Sequence, residues 1–360
     1  MNKPFFSIVV PCCNVGAYVD ELVESVRAQS FTGYECILSV ERSSDDTLER
    51  CEAAANQDSR FRVLFGERSG SASVPRNRGL DSALGQYVVW VDGDDRLTEG
   101  ALARIAAEAR AGDMPDVMQF SAERCDEAAD GAVVSRSLVS NFPASAAGST
   151  LSGREALLDL ARRGASYHPM PWMMAIRIGF LRGTGIHFIP GIRYEDAEWA
   201  PRVFYAARRV RVIDAVCYAY RRHGGSVTTS AFSPNELACV SQVIRSLLLF
   251  HATNRFDAAL SRAWSRIVLS LFLYYFFSPW RTARIASADW TPCIRSVLSG
   301  RGRIDFLRLV RFAGLPKKVA SPLVLLCGLS PALDWPAKAF FRHLYYPLVM
   351  RREKGCSDEA

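Results

Sequence analysis

At 360 residues, 49% of them hydrophobic and 22% charged, the chain is long enough for one large or two ordinary domains, and its composition excludes disorder. Ten cysteines, with Cys12 and Cys13 adjacent, form no CxxC pair, which argues against a disulfide framework and for reduced thiols in the cytoplasm. The net charge of +7 is concentrated in residues 231–360, which carry 18 Lys and Arg against 8 Asp and Glu. No helix-turn-helix, zinc-finger or RNP signature accompanies that charge, so nucleic acid is not the expected partner and an anionic membrane surface is.

Residues Met1 to Phe6 run into a strand without the apolar core and cleavage site of a signal peptide, so the expected location is cytoplasmic, peripheral on the inner face of the cell membrane. Phe5 to Pro11 is a continuous apolar run of strand length, of the kind buried on both faces of a parallel sheet. Ala17 to Ser30 follows as a helix, with Tyr18, Leu22 and Val26 on one stripe and Asp20 and Glu21 in the first turn. A second strand, Glu35 to Val40, ends at Glu41. Thr47 to Asn56 predicts a helix, Phe61 to Phe65 a third strand, and Ser73 to Leu84 a helix with Pro75 in its first turn and Gly85 past its end. Tyr87 to Val91 is the fourth strand.

That strand runs directly into Asp92, Asp94 and Asp95. Three carboxylates within four residues repel one another at a half-buried strand end unless a cation sits among them, and hard oxygen ligands suit Mg²⁺ or Mn²⁺ bridged to substrate phosphates. A calcium loop of the EF-hand type is excluded, because Leu97 and Ala103 stand where it needs Gly and Glu. A solvated acidic turn ahead of the helix at Ala101 to Ala111 stays open as the alternative. Alternating strands and helices imply a parallel sheet whose ligands bind beyond the carboxyl ends of its strands, which brings Asn14, Glu41 and Asp92 to one crevice. Neither GxGxxG nor GxxxxGK[ST] is present, so phosphates must be held in another way.

Ser7 to Asn14 (Ser-Ile-Val-Val-Pro-Cys-Cys-Asn), Glu41 to Asp45 (Glu-Arg-Ser-Ser-Asp), Arg76 to Gly79 (Arg-Asn-Arg-Gly) and Asp92 to Asp95 (Asp-Gly-Asp-Asp) resemble, in order and spacing, the nucleotide-sugar half of glycosyltransferase family 2 with its GT-A fold. The resemblance implies an α/β, Rossmann-like fold with a mainly parallel sheet flanked by helices, followed here by a C-terminal helical extension. It places Pro11 and Cys13 beside a nucleobase, Glu41 as the acid that accepts the base N–H, and Arg76 near the diphosphate, with Asn14 a further donor-binding candidate. Asp94, with Asp92 or Asp95, matches the metal-binding DxD motif. Two positions depart from the family's pattern: Cys13 stands where Tyr often stacks on the base, and Val40-Glu41 stands where a pair of Asp is usual. On its residue type alone, Cys13 is a small buried apolar side chain.

Val117 to Ser121 predicts a strand, Ala128 to Thr150 a surface excursion rich in Ala, Ser and Gly, and Ser152 to Glu155 a capping box opening a helix through Arg162. Met170 to Trp199 is a second concentration of chemistry. Glu195 and Asp196 adjoin aromatic residues, which suits a carboxylate base against a sugar acceptor. The resemblance assigns the base to Asp196, with Glu195 in reserve; Glu198 is expected to be a solvated helical charge. Trp172 and Trp199 are candidates for stacking on acceptor sugars, with a core position the alternative. After a strand from Ala215 to Tyr220, Arg221, Arg222, His223 and the following Gly-Gly-Ser are expected to close over the leaving diphosphate, with ordinary surface charge the alternative for Arg221 or Arg222. His223 has no second His at metal spacing.

The tail has helical apolar patterns at Leu237 to Phe250 and Arg262 to Phe277, the latter too short to span a bilayer. Phe340, Phe341, Leu344 and Leu348 alternate with basic residues as in an interfacial helix, which would meet a membrane, pack on its own domain, or form a homodimer. The expected organisation is a GT-A domain over residues 1–230, divided near residue 120 into nucleotide-sugar and acceptor halves, and a basic helical region over 231–360. The expected activity is inverting, metal-assisted transfer of a hexosyl or N-acetylhexosaminyl group from a nucleoside-diphosphate sugar to a glycan or lipid-linked glycan. The rivals are a nucleotidyltransferase and a non-catalytic, membrane-associated nucleotide-sugar-binding scaffold.

Overall fold

Strand β1 (Phe6–Cys12) is buried at every position except Pro11, as a strand covered on both faces must be. It pairs in parallel with β2 (Tyr34–Glu41), and β2 with β3 (Phe61–Gly66); helices α1 (Gly16–Arg27) and α2 (Thr47–Gln57) make the crossovers. After α3 (Ser73–Ser82) the chain returns to pair β4 (Tyr87–Trp90) with the other side of β1. The carboxyl ends of β1, β2 and β4 therefore open at one edge, as the sequence requires. The computed structural model describes residues 3–111, 113–128, 132–162, 170–224, 232–277, 287–298 and 300–311.

The remaining elements of this part are β5 (Arg96–Leu97), α4 (Ala101–Ala111), β6 (Val117–Glu127), β7 (Val133–Val139), β8 (Thr150–Leu151), α5 (Gly153–Arg162), β9 (Met174–Arg177), α6 (Ile178–Thr184), α7 (Glu195–Ala206) and β10 (Val210–Arg222). The main path of the sheet runs β3-β2-β1-β4-β9-β6-β10-β5, with β7 on β6 and β8 on β10. β9 is antiparallel to both β4 and β6, so one short reversed strand joins the parallel strands β1 to β4 to the parallel pair β6 and β10, on which β5, β7 and β8 pair antiparallel. β7 falls inside the stretch expected to be a surface excursion. Six of its seven residues are exposed, so no burial pattern marks it in the sequence.

The chain divides into two compact units, residues 1–156 with 168–229, and residues 157–167 with 230–360. The second contains α8 (Pro234–Thr253), α9 (Ala258–Phe277) and the helices Ser287–Val297 and Gly300–Val310. α8 opens on a capping box in which Ser233 Oγ accepts the Glu236 N–H and the Glu236 carboxylate accepts the Ser233 N–H at 2.8 Å. Trp264 is buried and donates its indole N–H to Leu247 O at 3.1 Å, tying α9 to α8. Among the described residues no helix is long and apolar enough to cross a membrane. The interfacial pattern around Phe340, Phe341, Leu344 and Leu348 lies outside the described residues.

Gly79 sets how closely α3 approaches β1. A Cβ on it would lie 2.3 Å from Val9 Cγ1, inside a close-packed layer with no room to yield. Gly79→Ala is expected to lower unfolding stability by about 1–3 kcal/mol. Urea unfolding should show part of that loss recovered in the Gly79→Ala/Val9→Ala double variant, since the two sites share one contact.

Candidate active site

Three loops at the sheet edge carry the first half of the site. Asn14 follows β1 in the left-handed conformation, φ 55°, which Asn tolerates better than most residues. Its N–H donates to Ser43 Oγ at 3.1 Å and its side-chain oxygen accepts the Ser44 N–H at 2.8 Å. Asp45 completes the latch by accepting the Gly16 N–H at 2.9 Å at the start of α1. Asn14 thus locks the β1 loop to the β2 loop, a structural task. Pro11 and Cys13 are half-buried on the same loop. Burial raises the Cys13 thiol, with Arg68 opposing and Glu41 adding to the shift, so both charges act on this position.

Glu41 ends β2 and is 2% exposed. Its Oε2 accepts the Ser69 N–H at 3.2 Å, while its Oε1 is buried and accepts nothing from the protein. An unmet buried acceptor costs about 1–3 kcal/mol, which a ligand N–H would recover.

Arg76 binds the two halves of the site together. It projects from α3, is 5% exposed, and donates Nη2 to Asp92 Oδ1 and Nη1 to Glu195 Oε1, both at 2.6 Å. Asp92 follows β4, and Glu195 opens α7 directly after Tyr194, which is held left-handed at φ 63°. A bulky residue in that region is strained, and the strain turns Glu195 and Asp196 into the site at a helix N-terminus that favours anions. Burial opposes the Arg76 charge, but Asp92, Glu195 and Asp196 outweigh it and its pKa rises. The carboxylates are in surplus. Burial pushes Glu195 up to about 7 against the pull of Arg76, with Asp196 and Asp92 adding to the rise. Burial likewise raises Asp196, which accepts the Ala197 N–H on Oδ1 at 2.8 Å.

Asp94 is raised by burial and by Asp92, and faces His223, whose Nε2 lies 3.2 Å from Asp94 Oδ2. The charge of Asp92 acts on Asp94 and on Asp196 alike, and Arg76 bridges Asp92 to Glu195, so the acidic loop and the start of α7 lie close together. Among the described residues no group of three or more His, Cys, Asp and Glu is arranged to hold a metal ion. Mg²⁺ and Mn²⁺ sites need only one or two carboxylates when a diphosphate supplies the rest, and the surplus negative charge at Asp92 and Asp94 fits that donor set.

Five expectations are corrected. Asp95 is not available to a cation: it is 2% exposed, and its oxygens accept the Tyr218 O–H at 2.7 Å and the Arg221 N–H at 2.6 Å, fastening the loop to β10. Arg222 pairs with Asp126 on β6 at 3.7 Å. Trp172 is buried against Tyr218 and Tyr220, with ring centroids 4.5 and 5.1 Å apart, and so presents no face to a sugar. Trp199 is wholly buried between Trp90 and Phe188. Glu198, expected to be solvated, is 1% exposed and paired with Arg202 at 2.6 Å. The sequence also gave no weight to Asn77, whose amide exchanges hydrogen bonds of 2.8 and 3.0 Å with the backbone of Phe188 and so holds the chain leading into α7. The segment after Gly224 lies outside the described residues.

The profile of glycosyl transferase family 2 matches residues 7–157, which carry the latch, Glu41, Arg76 and the acidic loop. Glycosyltransferase GlyG of Streptococcus pneumoniae is 30% identical over 234 residues, covering 63% of this chain and 73% of GlyG. The chain belongs to glycosyltransferase family 2. Within that family it is also 31% identical over 110 residues, 30% of its length, to the GalNAc(5)-diNAcBac-PP-undecaprenol beta-1,3-glucosyltransferase of Campylobacter jejuni, of which it spans 36%. Its fold is that of S. aureus TarS 1-349, solved in complex with UDP-GlcNAc, with a TM-score of 0.69 at 19% identity over 95% of this chain and 92% of that one. All of the residues described above lie in the first compact unit of the chain.

Removing one partner of a buried ion network leaves uncompensated charge, so Arg76→Met is expected to cost about 3–5 kcal/mol in urea unfolding. The Glu195 carboxyl, raised from 4.5 to about 7, stabilises the fold fully below pH 4.5, and that contribution is lost as pH rises through 7. Unfolding midpoints measured from pH 4.5 to 8 should therefore fall with pH, and Glu195→Gln should flatten the slope.

Proposed function

We propose that this family 2 glycosyltransferase is an inverting enzyme that moves a sugar from a nucleoside-diphosphate sugar to a hydroxyl of a glycan or lipid-linked glycan. The observation that carries the reading is the Arg76 bridge, which sets the acidic loop at Asp92 and Asp94 opposite the carboxylate pair at the start of α7. Residues 1 to about 120 would bind the nucleotide and residues to about 230 the acceptor. The buried Oε1 of Glu41 would accept a base N–H, with Pro11 and Cys13 alongside. Complexes of the TarS neighbour with UDP and UDP-GlcNAc support a donor of this class.

Asp196 is the general base. Its Oδ1 is occupied by the Ala197 N–H, which leaves Oδ2 to take the proton of the acceptor hydroxyl as that oxygen attacks the anomeric carbon. The bond from that carbon to the diphosphate oxygen breaks on the opposite face, and configuration inverts in one displacement. Burial raises the Asp196 pKa, which makes it a stronger base than an exposed aspartate. Glu195 keeps Arg76 in place beside it. Mg²⁺ or Mn²⁺ held by Asp94 and Asp92 would balance the charge of the departing diphosphate. The name of the Campylobacter relative supports a polyprenol-linked acceptor, and the excess of basic residues over 231–360 suits the anionic membrane surface on which such an acceptor lies.

Asp196→Asn is expected to reduce turnover by about 10²- to 10⁴-fold while sparing nucleotide-sugar binding. Asp94→Ala should instead abolish the gain in donor affinity from added Mn²⁺. Release of nucleoside diphosphate, as opposed to pyrophosphate, is the product assay that separates this reaction from nucleotidyl transfer, and unchanged turnover in Asp196→Asn would remove that residue as the base.

A further inference from the structure

The two arginines of the run Arg76-Asn-Arg-Gly79 go to different places. Arg76 turns to Asp92 and Glu195, whereas Arg78, half-buried on the same helix, turns to the end of β2. Its Nε donates to Ser39 Oγ and its Nη2 to Val40 O, both at 3.0 Å. Side chains two residues apart on a strand share a face, so the bond to Ser39 puts the guanidinium on the face of β2 that also carries Glu41. The third nitrogen, Nη1, is placed by β3. Gly66 is the residue paired with Glu41 there, and a Cβ built on Gly66 would overlap Arg78 Nη1. Glycine in a strand marks a site where another group approaches closely, and here that group is a guanidinium.

Glu41 needs such a neighbour. It is 2% exposed, it accepts one protein hydrogen bond, from the Ser69 N–H, and among the described residues it has no ion-pair partner. A carboxylate so placed is costly unless a cation lies near it. Arg68, which acts on the neighbouring Cys13, is exposed and screened by solvent. Burial lowers the Arg78 pKa and the charge of Glu41 opposes that shift, so the two groups feel one another. We propose that Arg78, seated over Gly66, is a positioning residue for nucleobase recognition: it is the counter-charge that holds the Glu41 carboxylate ready to accept the base N–H. This rests on the reading of Glu41 as the acid that meets the base. A carboxylate only accepts, so the device selects uracil or guanine, which present a ring N–H, over cytosine or adenine, which present a lone pair at the same place.

Two variants remove the counter-charge by different routes. Arg78→Met deletes the charge, and Gly66→Ala keeps Arg78 but fills its seat, pushing aside only the far end of a flexible side chain. The full chain, with Mg²⁺, is titrated calorimetrically with UDP and CDP, and in parallel with GDP and ADP. Wild-type protein should bind one N–H nucleotide about tenfold more tightly than its lone-pair counterpart. Each variant should lose about that factor for the N–H nucleotide and nothing for the other, so that the ratio falls to about one. Arg78→Met made in Glu41→Gln should have no further effect. A merely structural role, tying α3 to β2, would weaken both nucleotides alike and leave the ratio as it was. A ratio that keeps its wild-type value in either variant would overturn the proposal. Wild-type protein that binds no nucleoside diphosphate, or binds the two kinds equally, would instead overturn the Glu41 reading and the proposal with it.

Discussion

A single guanidinium, buried and bonded to carboxylates that arrive more than a hundred residues apart, holds the candidate active site together. Arg76 comes from α3, Asp92 from the end of β4, and Glu195 from the start of α7. Without it the acidic loop and the start of α7 would repel one another, since Asp92, Glu195 and Asp196 gather around one cation. The surrounding structure is arranged to put Arg76 there. Gly79 lets α3 lie against β1, and the Arg76 guanidinium rests 5.6 Å over the Phe188 ring. Asn77, the next residue, clamps the backbone of Phe188 and fixes the path into α7.

The same network leaves the site with a surplus of negative charge. Three carboxylates to one guanidinium leave a deficit of positive charge, and in a buried place that deficit is met by retaining a proton or by recruiting a cation. The raised Glu195, Asp196 and Asp94 are the expression of that deficit. A carboxylate whose charge is disfavoured by burial is a better proton acceptor than an exposed one.

Much of this was legible in the sequence, and the reasons differ by residue. The strands β1, β2 and β4 announce themselves by uninterrupted apolar runs, and their carboxyl ends fix the positions of Glu41 and Asp92 by topology alone. What the linear pattern could not show is which way a side chain turns. Asp95 is one residue from Asp94 and carries the same group, yet the Tyr218 hydroxyl and the Arg221 N–H, more than 120 residues later, claim both its oxygens. Trp172 and Trp199 looked like sugar platforms because aromatic rings near carboxylates often are. Their burial follows from long-range stacking on Tyr218 and Phe188, which has no local signature. β7 escaped notice because its side chains face water and leave no alternation to detect.

Preorganisation ties these observations to function. The β1 loop is locked by Asn14 to the β2 loop, and the start of α7 is fixed by a left-handed Tyr194. Each constraint costs backbone freedom or strain during folding, not at the moment a donor binds. Glu41 shows the consequence most directly: one carboxylate oxygen is already committed to Ser69, and the other is held in a buried position with no protein donor to meet it. A base N–H placed there gains a hydrogen bond without displacing a protein partner and without waiting for a side chain to turn. Under the proposed function, Cys13 supplies little surface beside it, where an aromatic ring would stack on any base, so recognition at this end would lean on the hydrogen bond and not on stacking. That makes the Glu41 carboxylate the group by which this chain would tell one nucleobase from another.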